Sequence, residues 1–213
     1  MQFQSVRYYL FKLISDGHKW QHTDINGLCE NPKFYFSGLQ WLIIVISFIS
    51  SFLLAIGFNK DFIGYIIASL SIFIGLFLTL ILTVFDRFQN INFSTPNLSE
   101  NEQIKLIQKK NFFKQFTALT SYSILISLLS IILLSLSLLS NFFNVNISQF
   151  SLVSDIESVS IEYTCNFLII SIVLIYRIVV IYFLLDFLII VLFALTSIYN
   201  YISLEYDKVK IKK

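Results

Sequence analysis

Charge is scarce in this 213-residue chain: Asp, Glu, Lys and Arg make up 13% of it. That is about half the roughly 25% usual in a soluble domain, so an ordinary water-facing surface is excluded. Glycine and proline are also few, at 6 and 2. No glycine follows Gly75 and no proline follows Pro96. The two later apolar runs therefore contain neither residue, and no run shows the Gly/Pro interruption that marks a broken, ion-binding transporter helix, which disfavours secondary transport. The two cysteines imply no disulfide framework. Cys29 lies before the first apolar run and Cys165 near the opposite end of the last, so they cannot meet within one subunit. There are two histidines and neither falls in an apolar run, so no base is at hand to activate the many serines. Walker, Gly-x-Ser-x-Gly, His-Glu-x-x-His and Cys-x-x-Cys motifs are all missing, and no enzyme activity is expected.

What the chain does have is apolar length. Four runs, at about 39–58, 62–85, 117–139 and 166–200, each reach the roughly 20 residues needed to cross a ~30 Å hydrocarbon core. The cations sort themselves around these runs. Arg7, Lys12, Lys19 and Lys33 precede the first. Arg87, Lys105, Lys109, Lys110 and Lys114 lie between the second and third, and Lys208, Lys210, Lys212 and Lys213 follow the fourth. Only Lys60 falls in the opposite turn. The positive-inside rule then predicts an all-α, multi-pass protein of the cell membrane with both termini in the cytoplasm. A nucleic-acid reading of the lysine clusters is displaced by this simpler role. No secretory signal peptide is expected either, because Arg7, Lys12, Asp16, His18 and Lys19 interrupt the first 20 residues.

The expected organisation has three parts. Residues 1–37 form a cytoplasmic segment. In it, Phe3, Val6, Leu10, Leu13 and Ile14 recur at helical spacing and predict a short helix on the inner leaflet. Gly17, Gly27 and Pro32 predict irregular chain over 17–33. Trp20, Tyr35 and Trp41 serve as interfacial anchors or as packing residues. Residues 38–200 hold the four-helix transmembrane domain, with a cytoplasmic helical linker at 86–116 and an external loop at 140–165. A basic cytoplasmic tail, 201–213, closes the chain. Asn59-Lys60-Asp61 reads as a tight turn joining the first two spans. Gly64, Ala68, Ser71 and Gly75 fall on one stripe of the second span, the pattern that lets membrane helices approach closely. Ser99-x-x-Glu102 reads as a capping box. From Ser99 to Leu139 no glycine or proline intervenes, so a helix starting there would run ~60 Å and project well beyond the bilayer.

Several polar groups stand out. Thr120, Ser123, Ser127, Ser130, Ser137 and Asn141 form a heptad-like seam on the third span, with Leu134 in the missing place. Two readings stay open: helix packing through small hydroxylated residues, or the lining of a water-filled path in an oligomer. Arg177 and Asp186 are the ionisable acid and base of the fourth run, and a mid-bilayer charge is expected to face protein or water. Nine residues apart, they point to opposite sides of a helix and cannot pair with each other. Asp186 is expected to pair with Arg87 at the inner surface, and Arg177 to face the bundle or an oligomer axis, unless it snorkels outward. Lys105, Lys109, Lys110 and Lys114, set among Ile104, Ile107, Phe113 and Phe116, form a candidate docking surface for a soluble cytoplasmic partner. His18, His22 and Cys29 supply too few ligands for a structural metal, so no metal or cofactor is expected.

This size and hydropathy plan, closing with the segment 187–208, resembles the small four-span membrane proteins of bacterial antiviral systems. The Kiwa membrane subunit and the membrane accessory proteins of type VI CRISPR loci are examples. The resemblance implies a homo-oligomeric inner-membrane protein that senses infection, permeabilises the membrane or anchors a soluble partner. A simple pore and a non-conducting assembly protein are the alternatives.

Overall fold

A computed structural model describes residues 3–23, 26–28, 36–54, 57–91, 99–140, 143 and 161–210. The described part is all-α, with five helices: α1 (Phe3–Gln21), α2 (Gly38–Leu53), α3 (Lys60–Gln89), α4 (Glu100–Leu139) and α5 (Ile161–Lys210). Three of them, α3, α4 and α5, are long and apolar enough to cross a membrane. Cys29, Pro32, Lys33, Tyr35, Pro96, Asn141, most of the external loop and Lys212–Lys213 lie outside the described residues. So does the side chain of Cys165.

Local chemistry explains the helix starts. Ser37 caps α2: its Oγ accepts from the Gln40 N–H at 3.3 Å, and the Gln40 Oε1 accepts from the Ser37 N–H at 3.1 Å. That reciprocal box satisfies two donors otherwise left open at a helix N-terminus. Asn59 caps α3, its Oδ1 accepting from the Asp61 N–H at 3.0 Å. At α4 the Glu102 carboxylate accepts from both the Ser99 N–H (3.0 Å) and the Ser99 hydroxyl (2.8 Å). These bonds to its charged form hold the exposed Glu102 carboxyl below the ordinary carboxylate range.

Four expectations need revision. The helix α1 does not stop before Gly17 but continues to Gln21. Gly17 is a contact residue there, since a Cβ on it would lie 2.5 Å from Tyr122 Cγ. The first apolar run is not helical to its end: α2 ends at Leu53, and Gly57 follows with φ +89°. The link to α3 is therefore Leu54–Asn59, not a three-residue turn. At 16 residues, α2 rises about 24 Å, less than a full hydrocarbon core. Finally, Gly64, Ala68, Ser71 and Gly75 are exposed. A Cβ on Gly64 or Gly75 would meet nothing within 4 Å. The buried face of α3 is instead Ile63, Leu70 and Phe77.

The chain packs as two compact units. The first comprises residues 1–35, 73–126 and 187–213. Its core is aromatic. Phe112 stacks on Tyr201 at 4.3 Å, Phe113 meets Phe88 edge-on at 5.4 Å, and Phe73 meets Phe187 edge-on at 5.6 Å. The second comprises residues 36–72 and 127–186. Its core mixes Ile43, Ile63, Leu134, Val173 and Val180 with fully buried Ser47, Ser51, Ser127, Ser130 and Arg177.

Candidate functional site

In the second unit the polar centre is Arg177, 0% exposed. Its Nη1 donates to the Leu54 carbonyl at 2.6 Å and its Nη2 to the Phe143 carbonyl at 3.4 Å. Leu54 is the C-cap of α2, so the guanidinium sits where helix carbonyls run out of partners and the helix dipole is negative. The neighbouring Tyr176 hydroxyl donates to the Leu133 carbonyl, and its ring stacks on Phe143 at 4.1 Å. The Ser51 hydroxyl donates to the Leu174 carbonyl at 3.4 Å. Arg177 and its neighbours thus join the end of α2, the end of α4 and the body of α5. In a hydrocarbon setting a helix end needs such internal donors, and a buried cation needs such acceptors. The snorkelling alternative does not apply to a residue this buried.

The serine seam of α4 is buried within the chain. Thr120, Ser123, Ser127 and Ser130 are 0% exposed and Ser137 is 1%. The hydroxyls of Thr120 and Ser123, in the first unit, turn back to the carbonyls of Phe116 and Leu119 at 2.7 and 2.9 Å. Ser47 of α2 makes the same turn to Ile43, at 2.8 Å. Small hydroxylated residues that bond to their own helix allow close helix approach without leaving orphan donors. Asp186 is 2% exposed in the second unit, and Arg87, in the first unit, is exposed.

In the first unit the key side chain is Gln115, which sequence reasoning passed over. Its Nε2 donates to the carbonyls of Trp20 (3.2 Å) and Thr23 (3.0 Å), and its Oε1 accepts from the Ser197 hydroxyl at 3.2 Å. One carboxamide thereby caps the end of α1 and ties it to α5. A second tie runs from Gln108 Nε2 to Asn26 Oδ1 at 2.9 Å. Along the same stretch, Gly27 takes φ +82° beside Asn111. A polar residue two positions before an apolar run was the available signal.

The predicted docking lysines divide. Lys105, Lys110 and Lys114 are exposed beside exposed Ile104 and Ile107. Lys109 is engaged, with its Nζ 5.9 Å from the centre of the Tyr201 ring, a cation–π contact. His18 and His22 meet ring to ring at 5.1 Å. Among the described residues no group of three or more His, Cys, Asp or Glu forms a metal site.

Comparison with known proteins adds no name: no family model matches the chain, and no curated protein or solved structure is significantly similar to it.

Proposed function

We propose that this chain is a four-pass, homo-oligomeric subunit of the cell membrane, with both termini in the cytoplasm, that presents a helical platform to a soluble partner. The observation that carries the proposal is the outward face of α3. Gly64, Ala68, Ser71, Gly75, Thr79 and Thr83 are all exposed along one side of it. The hydroxyls of Ser71, Thr79 and Thr83 are folded back onto Ile67, Gly75 and Thr79 carbonyls at 2.8–3.0 Å. From residue 64 to 79 this face runs about 22 Å, most of the hydrocarbon thickness, and exposed Leu82 closes it. Lipid gives no reason to cluster small side chains; a second helix packed backbone to backbone does.

The fourth pass is supported by the ends of α2. Its N-terminus is boxed by Ser37 and Gln40, its C-terminal carbonyl is met by Arg177, and only about 6 Å of a ~30 Å core is left for Leu54–Asn59 to cover. The platform is supported by the length of α4. Its 40 residues rise about 60 Å, and the part before Thr117 carries Lys105, Lys110 and Lys114 around an aromatic core. The resemblance to antiviral membrane subunits extends the proposal to a sensor or effector role in defence.

The decisive experiment compares wild type with Gly64→Leu/Gly75→Leu by single-molecule photobleaching in native nanodiscs. A Cβ at either position meets nothing within 4 Å and both positions are exposed, so the protomer should accumulate normally while multi-step bleaching collapses to one step. An unchanged step distribution refutes α3 as the interface.

A further inference from the structure

The geometry points to a phospholipid headgroup site in the first unit, at the meeting of α1, α4 and α5. A cleft of about 130 Å³ opens there, and its lining includes Trp20, Gln21, Gln115, Leu119, Phe193 and Asn200. Its two halves differ in chemistry. Exposed Phe193 offers apolar surface, and Leu119 is buried at the wall. Trp20, Gln21 and Asn200 bring an indole and two carboxamides, all hydrogen-bond donors and none charged. Gln115 takes no part in binding: its carboxamide is spent on Trp20, Thr23 and Ser197, so it fixes the wall. Gln21 and Asn200, by contrast, make none of the side-chain hydrogen bonds found among the described residues, and Asn200 is exposed.

The height of the cleft selects the ligand class. Gln115 lies two residues before the apolar run of α4 begins, and Asn200 closes the apolar run of α5. The cleft therefore straddles the level at which both helices leave the hydrocarbon on the cytoplasmic side. That placement rests on the membrane reading above. A molecule lodged there has acyl chains on the Phe193 side and acceptor oxygens on the other. A phosphodiester supplies such oxygens and accepts from neutral N–H donors, as phosphates do from backbone amides. An indole at this level suits the role, since Trp places an apolar body against lipid and its N–H toward the headgroups. Among the described residues no acidic side chain lines the cleft to repel the phosphate. No described basic side chain lines it either, so the proposal names the phosphodiester itself, and not net headgroup charge, as the recognised feature.

The test uses the full chain, purified in mild detergent and loaded from vesicles of phosphatidylethanolamine with phosphatidylglycerol. Native mass spectrometry then counts lipids kept after delipidation. Wild type should retain one phospholipid from either class, and millimolar glycerol phosphate should not displace it. Gln21→Leu/Asn200→Leu should lower retention about tenfold, the loss of two modest hydrogen bonds. Retention by the variant equal to wild type overturns the site, as does displacement by glycerol phosphate, which would make the ligand a free phosphate compound. If the variant does not fold, a phospholipid with a photoreactive acyl chain decides on wild type alone. Adducts on the peptide containing Phe193 support the site, and adducts spread evenly over the spans refute it. Alkaline carbonate extraction keeps the two readings apart. A chain that washes out of membranes sinks the membrane reading, whereas a chain that stays but keeps no lipid sinks only the cleft.

Discussion

Replacing Gly17 and Gly75 in turn by alanine makes the same chemical change in two helices, with opposite expected outcomes. In a helix interior, glycine to alanine gains up to about 1 kcal/mol from backbone entropy and propensity. At Gly75 nothing offsets that gain inside the protomer, because the new Cβ meets no atom within 4 Å. At Gly17 the new Cβ would fall 2.5 Å from Tyr122 Cγ and 2.6 Å from Tyr122 Cβ. Those atoms are the root of the ring, so rotating the side chain tip does not relieve the contact. Overpacking of this kind costs about 1–3 kcal/mol. Subtracting one variant from the other cancels the propensity gain and leaves the contact, again about 1–3 kcal/mol. The assay is reversible unfolding in a monomer-forming detergent, read by circular dichroism. Gly17→Ala should unfold at lower denaturant than wild type, and Gly75→Ala at equal or higher denaturant. Adding Tyr122→Ala to Gly17→Ala should erase the difference, since the clashing ring is gone. If Gly17→Ala is as stable as Gly75→Ala, α1 does not dock on α4 through this contact.

Further predictions address other parts of the chain. Arg177→Leu strips the Leu54 and Phe143 carbonyls of their donor, a loss of about 1–3 kcal/mol for buried groups left unpaired. Lower accumulation in membranes, partly restored by Arg177→Lys, is the expected result; full accumulation with a changed membrane potential would instead place Arg177 on an ion path. Gln115→Leu frees the end of α1, and cysteine-labelling or hydrogen exchange should show residues 18–23 opening while the 127–139 region stays protected. For the α4 cap, the sign follows from the lowered Glu102 carboxyl. Its contribution is full above the ordinary carboxylate value and fades as pH falls through the lowered one. Exchange at residues 100–103 should therefore accelerate only in acid, and Glu102→Gln should abolish that pH dependence. Lys105→Glu/Lys110→Glu/Lys114→Glu should remove photo-crosslinks from Ile107 to a soluble protein while Lys109→Glu, which breaks the Tyr201 contact, should lower stability as well.

What the sequence could and could not reveal divides along a physical line. Apolar length is a scalar property, so α3, α4 and α5 were legible, and so was the capping serine at Ser99, whose partner lies three residues on. The box at Ser37 and Gln40 obeys the same rule and could have been read; it was masked by the apolar run that follows. Where α2 ends was not legible. Its apolar composition continues to Phe58, but the helix stops at Leu53, and a donor 123 residues away meets the Leu54 carbonyl. No local pattern encodes a cap that arrives from another helix.

Facing is the deeper limit. Periodicity shows that residues share a stripe, not which neighbour the stripe meets. The seam of α4 and the stripe of α3 look alike in sequence, both small and both helical in spacing. In the structure the first is buried inside the chain and the second is exposed. In water, polarity would break the tie, because the polar face turns outward. In a bilayer the solvent is as apolar as the core, so that cue disappears and small size alone must be explained. A small stripe already used within the protomer needs no further partner. One left outward in lipid does, and for that reason α3, and not the more conspicuous serines of α4, is where a second copy is expected to dock.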